Sequence, residues 1–177
     1  MDPLDGTREF LNKTGEFTVN IALSYKGRAE IGVVYWPEAQ KLYYASRGHG
    51  ACLEDRKNKI TRELHVSQRK EDLVALLSRS HEMEREAALY QDVSPILQEV
   101  RKVGSSLKGC LIAEGTGDVF YRFTPIWQWD TAAMQCIVEE AGGIMEHLDG
   151  SQIVYNREAV RLPQGFYILN SRVNHWL

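Results

Sequence analysis

The chain has 177 residues, of which 44% are hydrophobic and 25% are charged, and its formal net charge is −3 at pH 7. This length allows one substantial core, and the small negative charge argues against a nucleic-acid polymer or an anionic membrane surface as partner. Its three cysteines are too few and too scattered for a disulfide framework or a zinc site. No apolar run reaches the roughly 20 residues that span a bilayer and no signal segment opens the chain, so we expect a cytoplasmic protein.

The first half of the chain predicts an antiparallel meander. From residue 16 to residue 24, apolar and polar residues alternate, which is the period of a strand with one buried face. The residues predicted to share that face are Phe17, Val19, Ile21 and Leu23. A turn ending in Gly27 leads into a second strand, which Pro37 interrupts, and further short strands follow.

The second half, after Leu64, predicts alternating strands and helices. The stretch SSLKGCLIAEG has a serine as candidate N-cap and Gly115 as a stop, both typical of a short helix. The stretch WDTAAMQCIVEEAGG carries apolar residues at helical spacing before a double glycine. Strand-like segments surround these helices, so we predict a layered α/β or α+β protein.

The stretch DPLDGT near the start of the chain could bind a metal ion. Pro3 favours an extended Asp2, and Gly6 permits a sharp reversal, so the carboxylates of Asp2 and Asp5 can converge with the carbonyl of Leu4. Converging hard oxygen ligands suit Mg²⁺, which also takes phosphate oxygens. The alternative is a plain loop, because Asp-Pro and Asp-Gly are common in turns.

Asp130 is the second candidate acidic residue. It lies near the start of its predicted helix, where the helix dipole favours an anionic side chain. Taken alone, Asp130 could simply cap that helix. Trp127 and Trp129 on either side of Gln128 are expected to pack rather than to bind a base.

The two acidic stretches together resemble a known family. DPLDGT, followed far downstream by WDTAA and EEAGG, is similar to the lithium-sensitive, magnesium-dependent phosphatases that include inositol monophosphatase. The stretches DPLDGTREF, GEFTVNIAL, SRSH and GSSLKGCLIAEG resemble more closely the bacterial CysQ-type 3'(2'),5'-bisphosphate nucleotidases. The resemblance implies the layered αβαβα sugar-phosphatase fold. It also implies hydrolysis of the 3'-phosphate of adenosine 3',5'-bisphosphate to AMP and phosphate, a reaction of sulfur metabolism.

The resemblance further implies roles for individual residues. The implied Mg²⁺ ligands are Asp2, the Leu4 carbonyl, Asp5 and Asp130. Thr7 would orient the attacking water beside Asp5, as the catalytic pair. The residues implied to contact the substrate are Gly6, Thr7, Ser80, His81, Ser105, Lys108, Arg122 and Asp130. A substrate with two phosphates needs cations beyond the metal ions, and Arg8 after the threonine fits such a substrate.

In the family pattern, a metal-sharing glutamate and two long helices precede the aspartate turn, whereas this sequence begins one residue before Asp2. We therefore expect an N-terminally truncated form of the fold. Residues 1–66 would be the remainder of the strand-rich N-terminal subdomain, with the metal-binding turn, and residues 67–177 the α/β C-terminal subdomain. The expected consequences are impaired activity and an uncovered apolar surface, in particular the face of Phe17, Val19, Ile21 and Leu23, that favours self-association.

Two alternative functions remain open at this point. One is an inositol monophosphatase-like sugar phosphatase, which shares the acidic motifs. The other is a non-catalytic module that binds a nucleotide or a metal ion and regulates a partner.

Overall fold

The first half of the chain forms one antiparallel sheet. The computed structural model describes residues 1–80 and 84–177. The strands of this sheet pair in chain order and are β1 (Asp2–Asp5), β2 (Thr18–Tyr25), β3 (Arg28–Trp36), β4 (Lys41–Ser46), β5 (Ala51–Asp55) and β6 (Ile60–Glu63). A short helix, α1 (Thr7–Leu11), connects β1 to β2. The predicted meander is confirmed, with β1 and β6 as its two edges.

The second half contains a mixed sheet and a two-stranded ribbon. Its strands are β7 (Leu73–Ser78), β8 (Leu97–Val103), β9 (Val119–Arg122), β10 (Ile126–Trp127), β11 (Ile144–His147), β12 (Arg161–Leu162) and β13 (Phe166–Leu169). The sheet has the order β11-β13-β9-β7-β8, in which β7 runs parallel to both β8 and β9. The strands β10 and β12 pair with each other as a separate ribbon.

Helices separate and cover the two sheets. They are α2 (Glu84–Asp92), α3 (Leu107–Ala113) and α4 (Gln128–Glu140), with short 3-10 turns at Ser94–Ile96 and Arg172–Asn174. One hydrophobic cluster joins the first sheet, α3, α4 and the inner face of the second sheet, and a smaller cluster around Tyr90 of α2 covers the outer face. The predicted layered α/β fold is confirmed. None of these helices, in the part of the chain that the structure describes, is long and apolar enough to cross a membrane.

The buried face of β2 differs from the sequence expectation. The alternation is present, but Ile21 and Leu23 are 48% and 56% exposed, whereas Thr18 and Asn20 are almost fully buried. Burial of the polar face is possible because Thr18 and Asn20 hydrogen-bond to each other and to Asp5. The buried side of the first sheet lies against α4, so the side chains of Ile21 and Leu23 lie on the side that faces away from this helix.

The close approach of α4 to the first sheet depends on Gly32 of β3. A Cβ atom at this position would lie 2.3 Å from the carbonyl oxygen of Ala133, far inside van der Waals contact. Ala133 itself is buried, as are Ile137, Val138 and Ala141, which follow it at helical spacing. The glycine therefore allows the helix backbone to rest directly on the sheet.

Candidate metal and phosphate site

Two of the three predicted acidic residues come from the edge strand of the first sheet. Asp2 pairs with Asn20, and Asp5 pairs with Thr18, with an irregularity in the register between them. The backbone N–H of Leu4 donates to the Asp2 carboxylate at 3.0 Å, which holds the turn. Gly6 follows with a left-handed φ of 83°, which suits glycine, and a Cβ there would press on Ser105.

The third acidic residue lies in the first turn of α4. The carboxylate of Asp130 accepts a hydrogen bond from the backbone N–H of Trp127 at 3.3 Å, so it caps the helix. One carboxylate oxygen from each of Asp2, Asp5 and Asp130 lies within 4.8 Å of the others. Asp130 thus caps its helix and also faces the acidic turn, so the two interpretations of this residue are compatible.

The electrostatics of this cluster favour a bound cation. Burial raises the pKa of Asp130 to about 7, and the nearby carboxylates of Asp5 and Asp2 add to the shift. Three carboxylates that converge in a half-buried position repel one another when ionised. An all-oxygen donor set of this kind fits a hard divalent cation, which would relieve that repulsion. The cluster could therefore hold a metal ion.

A buried polar network holds Asp5 in place. One oxygen of its carboxylate accepts hydrogen bonds from both the backbone N–H and the hydroxyl of Ser106, each at 2.7 Å. The side-chain amide of Asn20 donates to the hydroxyl of Ser106 at 2.8 Å and to Asp5 at 3.3 Å. The hydroxyl oxygen of Ser106 also lies 3.0 Å from the backbone oxygen of Asp130. The network therefore links the first sheet, α3 and α4 at the acidic cluster.

Ser106 corrects one expectation from the sequence. It stands at the cap position of α3, but its side chain makes no capping hydrogen bond. Its hydroxyl points to Asp5 instead, because that carboxylate is the stronger acceptor. Sequence analysis assigned no site role to Ser106, Asn20 or Thr18. In the sequence, Thr18 and Asn20 resemble the polar face of an alternating strand and Ser106 resembles a helix cap, so no local signal marks them as part of the site.

The loop between β8 and α3, residues 104–106, is held by charged groups on two sides. Arg79 binds both oxygens of the Glu16 carboxylate at 2.6 and 2.7 Å, and Glu16 also accepts the backbone N–H of Gly104 at 2.7 Å. Burial alone would raise the pKa of Glu16, but these hydrogen bonds hold it below its usual value. Glu16 and Arg79 thus connect the start of β2 to the loop.

Lys108 supports the same loop from below. Its ammonium group donates to the carbonyl oxygens of Val103 and Ser105 at 3.2 and 2.6 Å. Burial lowers the pKa of Lys108 to about 8, although the Asp5 carboxylate opposes that shift. Ser105 adopts a left-handed φ of 50°, an uncommon conformation that the lysine bond helps to hold. Lys108 therefore stabilises the loop directly, besides facing the cavity.

A cavity of about 650 Å³ opens above the acidic cluster. The predicted site residues that line it are Asp2, Leu4, Asp5, Gly6, Thr7, Ser105, Lys108, Arg122 and Asp130. Ser80 is not among the lining residues in the described part of the chain; its carbonyl accepts a hydrogen bond from the side chain of Arg8, which does line the cavity. His81 lies outside the described residues.

Arg122 sits half-buried in the wall of this cavity. Burial lowers the pKa of its guanidinium, and the carboxylates of Asp130, Glu86 and Asp5 counteract the shift. It donates to the carbonyl oxygens of Thr124 and Pro125, both at 3.3 Å. The cavity thus presents a cation beside an acidic centre, the charge arrangement that a phosphoester bound through a metal ion requires.

The cavity also contains residues that sequence analysis missed or assigned to packing. Glu9, Arg79 and Arg161 line it, as do Trp127 and several apolar side chains. Trp127 and Trp129 do pack against each other, and they remain 43% and 39% exposed. Arg161 comes from β12, whose partner strand β10 was not predicted.

Known proteins share both the sequence pattern and this fold. Residues 1–175 match the inositol monophosphatase family. The 3'(2'),5'-bisphosphate nucleotidase CysQ of Salmonella typhimurium is 37% identical over 168 residues, which are 95% of this chain and 66% of that protein. The enzyme of the same name from Buchnera aphidicola is 40% identical over 169 residues, covering 94% of this chain and 62% of the relative.

The solved structures agree with these similarities. The crystal structure of CysQ from Bacteroides thetaiotaomicron has a TM-score of 0.84 and 34% sequence identity, covering 95% of this chain and 68% of that one. The chain spans about two thirds of the length of the curated relatives that it matches. Because the family pattern extends over residues 1–175, the chain belongs to the inositol monophosphatase family, which confirms the resemblance seen in the sequence.

Proposed function

We propose that this chain is a Mg²⁺-dependent phosphatase that removes the 3'-phosphate of adenosine 3',5'-bisphosphate, giving AMP and phosphate. The observation that carries the proposal is the convergence of Asp2, Asp5 and Asp130 at the floor of a cavity whose walls include Lys108 and Arg122. The curated relatives named as 3'(2'),5'-bisphosphate nucleotidases support the choice of substrate class.

The metal ligands in this proposal are the three carboxylates, with the Leu4 carbonyl as a fourth. When bound there, Mg²⁺ would supply Lewis-acid stabilisation of the phosphate oxygens and a lower pKa for a coordinated water. The network of Ser106 and Asn20 fixes Asp5, so this ligand needs little reorganisation when a cation binds.

The residues around the acidic cluster would orient the substrate. The exposed Thr7 at the start of α1 faces the cavity, and its hydroxyl would orient the attacking water for in-line displacement. The scissile phosphate would lie beside Gly6, which lines the cavity next to Asp5. The second phosphate would meet the cationic wall formed by Arg122, with Lys108 beneath it.

Phosphate release by the purified chain tests this proposal. Mg²⁺-dependent release from adenosine 3',5'-bisphosphate, exceeding release from inositol 1-phosphate, is the expected result. A preference for inositol 1-phosphate would support the sugar-phosphatase alternative instead. Nucleotide binding without hydrolysis of either compound would support a non-catalytic binding module.

A second test measures whether the preference for adenosine 3',5'-bisphosphate over inositol 1-phosphate depends on Arg122. Arg122→Ala should reduce release from adenosine 3',5'-bisphosphate more than release from inositol 1-phosphate, because only the former carries a second phosphate. Arg101→Ala, which removes an exposed arginine on β8 paired with Glu99, is the matched control. Equal loss on both substrates in Arg122→Ala would contradict the assignment of that residue to the second phosphate.

A further inference from the structure

Two indole rings lie stacked at the rim of the cavity. The rings of Trp127 and Trp129 have centroids 5.2 Å apart and are within 3° of parallel. Trp127 lines the cavity, whereas Trp129 is not among the lining residues of the described chain. Trp127 is 43% exposed, so part of its ring remains accessible at the cavity rim.

The backbone of Trp127 is fixed from two directions. It pairs with Arg161 across the β10-β12 ribbon, and its N–H is held by the carboxylate of Asp130. The stacked partner Trp129 limits rotation of the ring itself. A ring held in this way can receive a flat ligand group without losing much conformational entropy on binding.

The lining of the cavity differs between its charged floor and the rim that carries Trp127. Its floor carries the three carboxylates, and Lys108, Arg122 and Arg161 supply positive charge. Pro125 and Ile126, directly before Trp127 in the chain, add apolar surface to the lining beside its ring. An all-polar sugar phosphate would gain little from such a wall. A ligand with a phosphate at one end and a flat aromatic group at the other matches both parts.

We propose that Trp127 is the stacking platform for the purine base of the nucleotide. This inference rests on the proposed function, because it assumes that the phosphate end of the ligand lies at the acidic cluster. Stacking of a base on an indole requires no particular hydrogen-bond pattern, so the site would accept purines in general. Removing such a ring typically weakens nucleotide affinity about 5- to 150-fold.

Calorimetric titration with AMP and with ribose 5-phosphate, both in the presence of Mg²⁺, tests the inference on the full chain. The two ligands share the phosphate and the ribose but differ in the base. We expect the wild-type chain to bind AMP more tightly, and Trp127→Leu to lose that preference while binding ribose 5-phosphate as before. Trp127→Phe should retain most of the preference, and Trp129→Leu should change AMP affinity by less than about threefold.

Two results for Trp127→Leu would overturn the inference. One is unchanged AMP affinity in Trp127→Leu, and the other is an equal loss for both ligands, which would indicate damage to the site rather than loss of stacking. A chain that shows Trp127-dependent AMP binding but releases no phosphate would overturn only the proposed function. A wild-type chain that binds neither ligand would overturn both.

Discussion

The two sheets of this molecule differ in how completely they are covered. Every residue of β7, at the interior of the second sheet, is buried, with hydrophobic clusters on both faces. In the first sheet only the side facing α4 is buried, while Ile21, Leu23 and Tyr25 are exposed on the other. Asp2 and Asp5 belong to the half-covered sheet, and Asp130 belongs to the helix packed between the two. The site therefore depends on how firmly the sheets are joined.

The largest effect is expected from Asp130→Asn, which removes the acidic group that joins the two regions. Loss of a metal-ligating carboxylate should reduce phosphate release at least about 100-fold, because several kcal/mol of transition-state stabilisation depend on the metal. The fold should persist, since the amide retains the shape of the side chain. Phosphate assays and circular dichroism measure the two effects, and full turnover in this variant would refute the metal assignment.

The same residue gives a dependence on pH. The pKa of Asp130 is raised to about 7 in the folded chain, above its unfolded value, mainly by burial. Its contribution to stability is therefore fully present below about pH 4 and is lost as the pH rises through about 7. Without metal, Asp130→Asn should not lose stability over this pH range. At pH 8 it should therefore melt roughly 2–8 °C higher than wild type. Added Mg²⁺ should raise the melting temperature of wild type alone.

The two faces of the first sheet should differ in how much they contribute to stability. Val34 is fully buried against α4, so Val34→Ala should lower the free energy of unfolding by about 2 kcal/mol. Leu23 is 56% exposed on the opposite face, and Leu23→Ser should cost less than about 0.5 kcal/mol. Urea denaturation of both variants measures the difference.

The exposed face of the first sheet has a further expected property. An apolar surface that includes Ile21, Leu23, Tyr25 and Ile31 favours self-association. Sedimentation of wild type at increasing concentration should detect oligomers, and Leu23→Ser should shift them toward the monomer. If Val34→Ala and Leu23→Ser lowered the free energy of unfolding equally, or if wild type and Leu23→Ser sedimented identically, the two faces would not differ in this way.

A smaller effect than that of Val34→Ala is expected where Arg79 and Glu16 connect the start of β2 to the loop before α3. Arg79→Ala should destabilise the chain by about 1 kcal/mol, because a two-point ion pair with Glu16 and a hydrogen bond to the carbonyl of Lys102 are lost. Arg101 is as exposed as Arg79, but its partner Glu99 lies on the same strand and is more exposed than Glu16, so Arg101→Ala should cost less than Arg79→Ala. If thermal unfolding showed equal losses of stability in the two variants, the pair of Arg79 and Glu16 would stabilise the chain no more than a pair within one strand.

The elements that the sequence predicted correctly are those set by local patterns. The meander follows from alternation and turn residues, and α4 follows from apolar spacing with a glycine stop. β8 was missed because LQEVRKV is an edge strand with mostly exposed, charged residues and pairs in parallel with β7. β1 was missed because DPLD has the composition of a turn and becomes a strand only through pairing with β2.

The candidate site shows the same limit. Asp5 and Asp130 are separated by most of the chain, and their proximity was inferred from resemblance to a family rather than from spacing. The residues that hold them, Ser106 and Asn20, act through contacts between distant segments. Ser106 has the local pattern of a helix cap, and Asn20 that of an ordinary strand residue. Only the folded arrangement distinguishes these two from their local alternatives.

The contact between Gly32 and the Ala133 carbonyl has a consequence for the distance between the two acidic groups. Ala133 lies one turn after Asp130 on the same helix, so the depth at which α4 rests on the sheet also sets how far Asp130 stands from Asp2 and Asp5. A single methyl group at position 32 would lift the helix and widen the space between the carboxylates. The spacing of the ion-binding oxygens is thus controlled by a residue that has no side chain and lies outside the cavity lining.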